Sequence, residues 1–187
     1  MSRAGFVLVG GRSSRMGRDK ARLPYRNGML VEHIAAQVEK AAGSVCLVGA
    51  PERYRDLPFR AIADVHVGAG PAGGIHAALA ASPAEWNLIV ACDLPALEAG
   101  FLIELLEEAE RVGRPGLMPV SPDGRPQPLC SVYHRCCLAG FERALRKGRL
   151  QLHAIVAELG LHARPVAEAR WFQNMNTPED WAAIAGA

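Results

Sequence analysis

The sequence predicts an α/β fold of three layers, a mostly parallel sheet packed between two sets of helices. Short apolar runs of strand length alternate along the chain with longer runs whose apolar residues recur at helical spacing. Helices of that length between strands imply right-handed crossovers and therefore parallel neighbours. The residues richest in chemistry come directly after strand-like runs, where sheets of this kind bind ligands.

FVLVG at 6–10 reads as a short buried strand, and LVEHIAAQVEKAA at 30–42 has helical spacing with Gly43 as its stop. SVCLVG (44–49) is a second strand and FRAIAD (59–64) a third. GGIHAALAAS (73–82) is helical and ends before Pro83, and WNLIVACD (86–93) is a continuous apolar strand closing on an aspartate. FLIELLEEAERVG (101–113) is an amphipathic helix with Glu and Arg on its wet face. GLMPV and PLCSVY are strands, and CCLAGFERALRKG (136–148) and QLHAIVAELG (151–160) are helices. TPEDWAAIAGA (177–187) is a last helix with Pro178 near its start. No repeat, low-complexity segment or linker interrupts the series. A chain of 187 residues, 50% hydrophobic, can bury one substantial core, so residues 1–187 are expected to form a single domain.

Composition excludes several classes. A formal net charge of +2 makes no case for nucleic acid, and no apolar run approaches the ~20 residues of a membrane span. MSRAGFVLVGG lacks a small-residue cleavage site and reads as a first strand, not a signal peptide. The cysteines (Cys46, Cys92, Cys130, Cys136, Cys137) contain no C-x-x-C pair, which points to buried free thiols in a reducing cytoplasm. The six histidines form no H-x-x-x-H pair and read as ordinary structural residues.

After the first strand comes LVGGRSSRMGRDK, Leu8 to Lys20. It is neither G-x-G-x-x-G nor the P-loop G-x-x-x-x-G-K-[ST], but it keeps the physics of both. The adjacent Gly10 and Gly11 let the backbone approach a ligand closely, and their N–H groups can line an anion site. Arg12, Arg15, Arg18 and Lys20 supply charge, with arginine suited to bidentate phosphate contact. The chain has 18 arginines and only three lysines, so Lys20 departs from its usual cation where a compact point charge suits a phosphate.

Asp93 ends the run LIVAC and is followed by Leu94-Pro95. A carboxylate fixed at the sheet's carboxyl edge is placed to hold Mg²⁺ between protein and substrate phosphates. It could equally cap a helix beginning near Glu98, and the two roles are compatible. Asp64, opening a glycine-rich loop, reads either as a site residue or as a turn former.

LVGGRSSRMGRDKARL, then GPAGGIHAAL (70–79), ACDLP (91–95), RPQPLCSVY (125–133) and NMNTPEDW (174–181), resembles the molybdenum cofactor guanylyltransferase family from Gly5 to Trp181. The resemblance implies a Rossmann-like nucleotidyltransferase fold and an enzyme that makes molybdopterin guanine dinucleotide. Leu8, Val9, Gly10 and Gly11 match the family's L-A-G-G nucleotide segment, with Val9 in place of alanine. Lys20 matches its phosphate-binding lysine, Arg15 its loop arginine, Asp64 an aspartate near the nucleotide and Asp93 the metal ligand. Asn174 and Asn176 match paired asparagines on the pterin side, although by themselves they read as turn and cap residues before Pro178. Many members carry an asparagine after the second strand that helps hold guanine; VGAPERY (48–54) has none.

The implied chemistry is attack by the terminal phosphate of molybdopterin on the α-phosphate of GTP, with pyrophosphate leaving. The nucleophile is already an anion, so no general base is needed. Mg²⁺ on Asp93, Lys20, Arg15 and loop amides would act by positioning and electrostatics. The pterin would lie near Arg125-Pro126-Gln127-Pro128. Molybdoenzyme apoproteins stay open as partners. Two other readings also stay open: a related transferase using CTP or another phosphorylated acceptor, and a non-catalytic module that binds a nucleotide or the cofactor.

Overall fold

The computed structural model describes residues 1–9, 19–66, 68–113 and 115–175. In chain order the elements are β1 (Arg3–Leu8), β2 (Pro24–Tyr25), β3 (Gly28–Met29), α1 (Leu30–Ala42), β4 (Val45–Gly49), β5 (Arg60–Ala63) and α2 (Pro71–Ala81). They continue as β6 (Trp86–Ala91), α3 (Ala99–Val112), β7 (Gly116–Val120), β8 (Cys130–His134), α4 (Leu138–Arg146), α5 (Leu152–Leu159) and β9 (His162–Pro165). Seven strands form one sheet in the order β5-β4-β1-β6-β8-β7-β9, and β2 and β3 pair as a separate antiparallel hairpin.

The central strands are apolar on both faces because both faces are covered. Val7, Val9, Leu88 and Val90 point to one core with Ile34, Val38, Leu102 and Leu105 of α1 and α3. Phe6, Leu8, Val48 and Ile89 point to the other, with Ile75 of α2, Phe141 of α4 and Val156 of α5. The result is the expected three-layer α/β architecture. Four of the six strand pairings in the large sheet are parallel.

β8 runs antiparallel to both its neighbours, β6 and β7. Only residues 121–129 join β7 to β8, too few for a crossover of a dozen or more residues, so this connection reverses direction. The first strand starts earlier than expected, at Arg3. Its parallel register with β6 runs from Arg3 opposite Trp86 to Leu8 opposite Ala91. The charge this draws into the sheet is met by Glu110 of α3, 2.7 Å from the Arg3 guanidinium.

α1 ends where expected, with Gly43 at φ 77°, a left-handed stop that other residues adopt at a cost. The CCLAG helix begins as a 3-10 turn, Arg135–Cys137, before α4. All five cysteines are free; Cys46, Cys92, Cys130 and Cys137 are buried as expected, and Cys136 is exposed, which corrects the expectation for that residue. The helix expected over 177–187 lies outside the described residues. No helix among the described residues is long and apolar enough to cross a membrane.

Candidate active site

The carboxyl ends of β1, β4, β5 and β6 form one edge, and the sequence-predicted residues gather along it. Leu8 closes β1 and Val9 follows it. The Leu8 carbonyl accepts from Cys92 N–H at 3.2 Å, and Val9 N–H donates to the Val48 carbonyl at 2.9 Å. Each residue is only 8% exposed, one in each core, so both side chains serve the packing. Gly10, Gly11 and Arg15 lie outside the described residues.

The chain re-enters at Asp19, whose Oδ1 accepts from Ala21 N–H at 3.1 Å and caps a 3-10 turn, Lys20–Arg22. Lys20 opens that turn, half-buried, and its charge acts on Asp93. Tyr54, which nothing in the sequence singled out, packs beside this turn. Its hydroxyl donates to Asp19 Oδ2 at 2.8 Å, with the Val9 carbonyl also within reach at 3.2 Å.

Asp93 lies two residues beyond β6 and is half-buried. It does not cap a helix: α3 begins at Ala99 with Glu98 at the cap position, and Ala99 N–H donates to Gln37 Oε1 at 3.0 Å. The purely structural alternative therefore loses its basis. Burial pushes the Asp93 carboxyl above the ordinary aspartate range, and the Lys20 charge pulls against that shift. The neighbouring Cys92 thiol is pushed up to about 12 by burial, so it is neutral and chemically quiet.

An under-solvated carboxylate just beyond the carboxyl end of a strand suits a hard cation, and Mg²⁺ commonly takes one or two carboxylates and completes its shell with water and substrate phosphates. Among the described residues no group of three or more His, Cys, Asp or Glu could form an all-protein metal cage. Asp93 as a single protein ligand beside a polyphosphate fits the donor set that is present.

Asp64 follows β5, its N–H donating to the Gly49 carbonyl at 3.2 Å and its Oδ1 accepting from His66 N–H at 2.9 Å. The turn-forming role is therefore real. The same carboxylate rests on the first turn of α2, where a Cβ on Gly73 would come within 2.7 Å of both its oxygens. Gly73→Ala should keep the fold, because alanine gains up to ~1 kcal/mol over glycine inside a helix. It should displace Asp64 and raise the nucleotide KM several-fold, in the same direction as Asp64→Ala. Unchanged nucleotide KM in both variants would remove Asp64 from the site.

The N–H of Met175 donates to the Asp93 carbonyl at 2.9 Å, which ties Asn174 to the Asp93 turn. Asn174 is exposed and borders a cleft of about 530 Å³ lined also by Ser121, Asp123, Arg125, Gln127 and His153. Arg125, Pro126 and Gln127 are thus on the cleft wall. Pro128 is buried and accepts a hydrogen bond from the Tyr133 hydroxyl at 2.8 Å. His153, read as structural, lies on this wall from α5. Asn176 lies outside the described residues. A cavity of about 380 Å³ at the amino ends of β1 and β4, near Ser2 and Ser44, opens at the end of the sheet where such folds do not bind substrate.

A seven-stranded mixed sheet, a glycine- and arginine-rich segment after β1 and a lysine-opposed aspartate after β6 define a nucleotidyltransferase. The MobA-like NTP transferase domain matches residues 5–163, and the chain belongs to that family. A probable molybdenum cofactor guanylyltransferase of Opitutus terrae is 40% identical over 189 residues, covering 95% of this chain and 92% of that protein. The crystal structure of molybdopterin-guanine dinucleotide biosynthesis protein A from Archaeoglobus fulgidus matches with a TM-score of 0.82 at 26% identity, covering 98% of this chain and 97% of that one. The 2-C-methyl-D-erythritol 4-phosphate cytidylyltransferase of Thermus thermophilus shares the fold, with a TM-score of 0.71 at 19% identity over 97% of this chain and 96% of that one.

Proposed function

We propose that this chain transfers GMP from GTP to the terminal phosphate of molybdopterin, forming molybdopterin guanine dinucleotide and releasing pyrophosphate. The observation that carries this reading is the position of Asp93. Its carboxylate is opposed by Lys20 of the loop segment, and its carbonyl is bonded to the Asn174–Met175 backbone that borders the 530 Å³ cleft. One residue thus joins the side suited to a nucleotide to the side suited to an acceptor. Relatives named as molybdenum cofactor guanylyltransferases support the choice of both substrates.

In this reading Gly10 and Gly11 offer backbone N–H groups to the phosphates, Arg15 adds a bidentate contact and Lys20 a point charge on the polyphosphate. Asp64 lies toward the nucleotide, and Asn174 and Asn176 toward the pterin. Asp93 would hold Mg²⁺, which when bound supplies charge neutralisation on the phosphates. The residues act by holding two polyanions in line, since a phosphate nucleophile has no proton to give up. Free thiols throughout suit a reducing cytoplasm, with molybdoenzyme apoproteins as recipients of the product.

Guanine is the weakest point of the recognition. In the 48–54 segment, which lacks an asparagine, Arg53 gives its carbonyl to Arg22 and Tyr54 its hydroxyl to Asp19. Base reading then falls mainly to the backbone of Leu8–Gly11. The expected result is GTP binding about 10-fold tighter than ATP or CTP, short of the ~10⁴-fold rejection a dedicated side-chain reader achieves. Calorimetric titration with Mg²⁺ present checks the order, and pyrophosphate release with each NTP plus molybdopterin checks turnover. CTP binding as well as GTP would favour a related transferase of different base. Binding of GTP without any turnover would favour a non-catalytic module.

A further inference from the structure

We infer that Trp171 is a positioning residue that seats residues 169–175 on α3 and so fixes the wall receiving the phosphorylated acceptor relative to Asp93. This rests on the reading of the 530 Å³ cleft as the acceptor site. Ala169, Phe172 and Asn174 belong to that wall. A 3-10 turn, Ala169–Phe172, carries this stretch, and so short a turn does not fix its own place on the molecule.

The seat is aromatic. Trp171 is 6% exposed and stacks on Phe101 of α3, with ring centroids 5.3 Å apart and planes 9° from parallel. The Arg170 guanidinium lies over the same indole, 4.1 Å from its centroid, and reaches Glu98, the cap residue of α3, at 3.8 Å. Phe172 meets Phe101 edge-on, with centroids 6.0 Å apart, and lines the cleft. The segment is fastened again at Met175, which is 1% exposed in the core that holds Leu94, Leu97 and Phe101. Its N–H donates to the Asp93 carbonyl at 2.9 Å. Trp171 and Met175 thus point inward, and Asn174 between them stays exposed at the cleft.

In-line transfer between two phosphates tolerates little misplacement: about 1 Å can cost on the order of 100-fold in rate. The Trp171–Phe101 stack and the Met175–Asp93 bond make the acceptor wall and the Asp93 turn one packed body. The nucleotide side is carried by other elements, β1, β5 and the Lys20–Arg22 turn, so its affinity should not follow Trp171.

The test combines steady-state pyrophosphate release with GTP and molybdopterin, calorimetric titration of GTP with Mg²⁺, and amide hydrogen exchange at Met175. It uses wild type, Trp171→Leu, Trp171→Phe and Arg170→Gln, each below the onset of its thermal melt. Trp171→Leu should raise the molybdopterin KM about 10-fold and lower kcat about 10-fold, with GTP affinity within about 2-fold of wild type. Its Met175 amide should exchange at least about 10-fold faster, because the local opening is easier. Trp171→Phe keeps a ring against Phe101 and should stay within about 3-fold of wild type in every readout. Arg170→Gln removes only the cation over the indole and should raise the molybdopterin KM about 3-fold, with faster Met175 exchange. If Trp171→Leu does not fold, Arg170→Gln, at an exposed position, carries the test.

A Trp171→Leu enzyme with molybdopterin KM and kcat both within 2-fold of wild type overturns the inference, whatever happens to the melting temperature. So does a loss of GTP affinity as large as the rise in molybdopterin KM, which is general loosening, or Trp171→Phe losing as much as Trp171→Leu. Where Arg170→Gln carries the test, an unchanged KM with unchanged Met175 exchange overturns it. If wild type transfers nothing to molybdopterin, the functional reading has failed instead, and Met175 exchange still decides whether Trp171 seats the segment.

Discussion

Asp93→Asn is expected to lower nucleotidyl transfer by about 1,000-fold or more, the scale of losing a central electrostatic element, while leaving the fold at least as stable as wild type. The two halves of this result have one cause. Burial raises the Asp93 carboxyl pKa, so the folded state holds the proton more tightly than the unfolded chain does. Stability therefore falls as pH rises from the ordinary aspartate range through the raised folded value, and stays lower above it. Asparagine carries no charge at any of these pH values. Thermal melts should show the variant equal to or above wild type at neutral pH, with the gap closing as the pH is taken below the ordinary aspartate range. Any residual pyrophosphate release should saturate only at higher Mg²⁺. A variant that loses more than about 2 kcal/mol of stability at neutral pH would mean that the carboxylate serves the fold. Undiminished turnover would take Asp93 out of the mechanism.

The sequence was legible where local chemistry and tertiary packing agreed. α1 was read to the residue because its apolar stripe ends at a glycine that takes the left-handed stop. GLMPV matched β7 because a short apolar run between loops has few other ways to be buried. β9 was missed because HARP has no apolar alternation and includes a proline; it is a strand only through its parallel pairing with β7. The β2–β3 hairpin is two residues a side and equally silent. In the site, Asp93 stood out because it closely follows a buried strand, a purely local signal, whereas its capping role failed because the helix starts where expected but takes Glu98 as its cap residue. Tyr54 could not be found this way. Its hydroxyl partner is 35 residues away, and the contact exists only because β1 and β4 are neighbours in the sheet.

Lys20→Ala should reduce kcat for nucleotidyl transfer by about 100- to 1,000-fold with a melting temperature within a few degrees of wild type. A half-buried lysine opening a short 3-10 turn contributes little to the core, and the Asp19 cap of that turn does not involve its side chain. Its charge, however, is what opposes the upward shift of the Asp93 carboxyl. Removing it lets the Asp93 pKa rise further, so the acid limb of the kcat/KM profile should move to higher pH in the variant. This second readout separates a lysine that acts beside Asp93 from one that only fills space. Lys20→Arg should recover less than about a tenth of the lost rate, because a planar fork cannot occupy the position of a compact ammonium. Steady-state pyrophosphate release across pH, with melts of each variant alongside, measures all three. Equal turnover in wild type and Lys20→Ala at matched thermal stability, or an acid limb that does not move, would leave phosphate stabilisation to the loop arginines and amides alone.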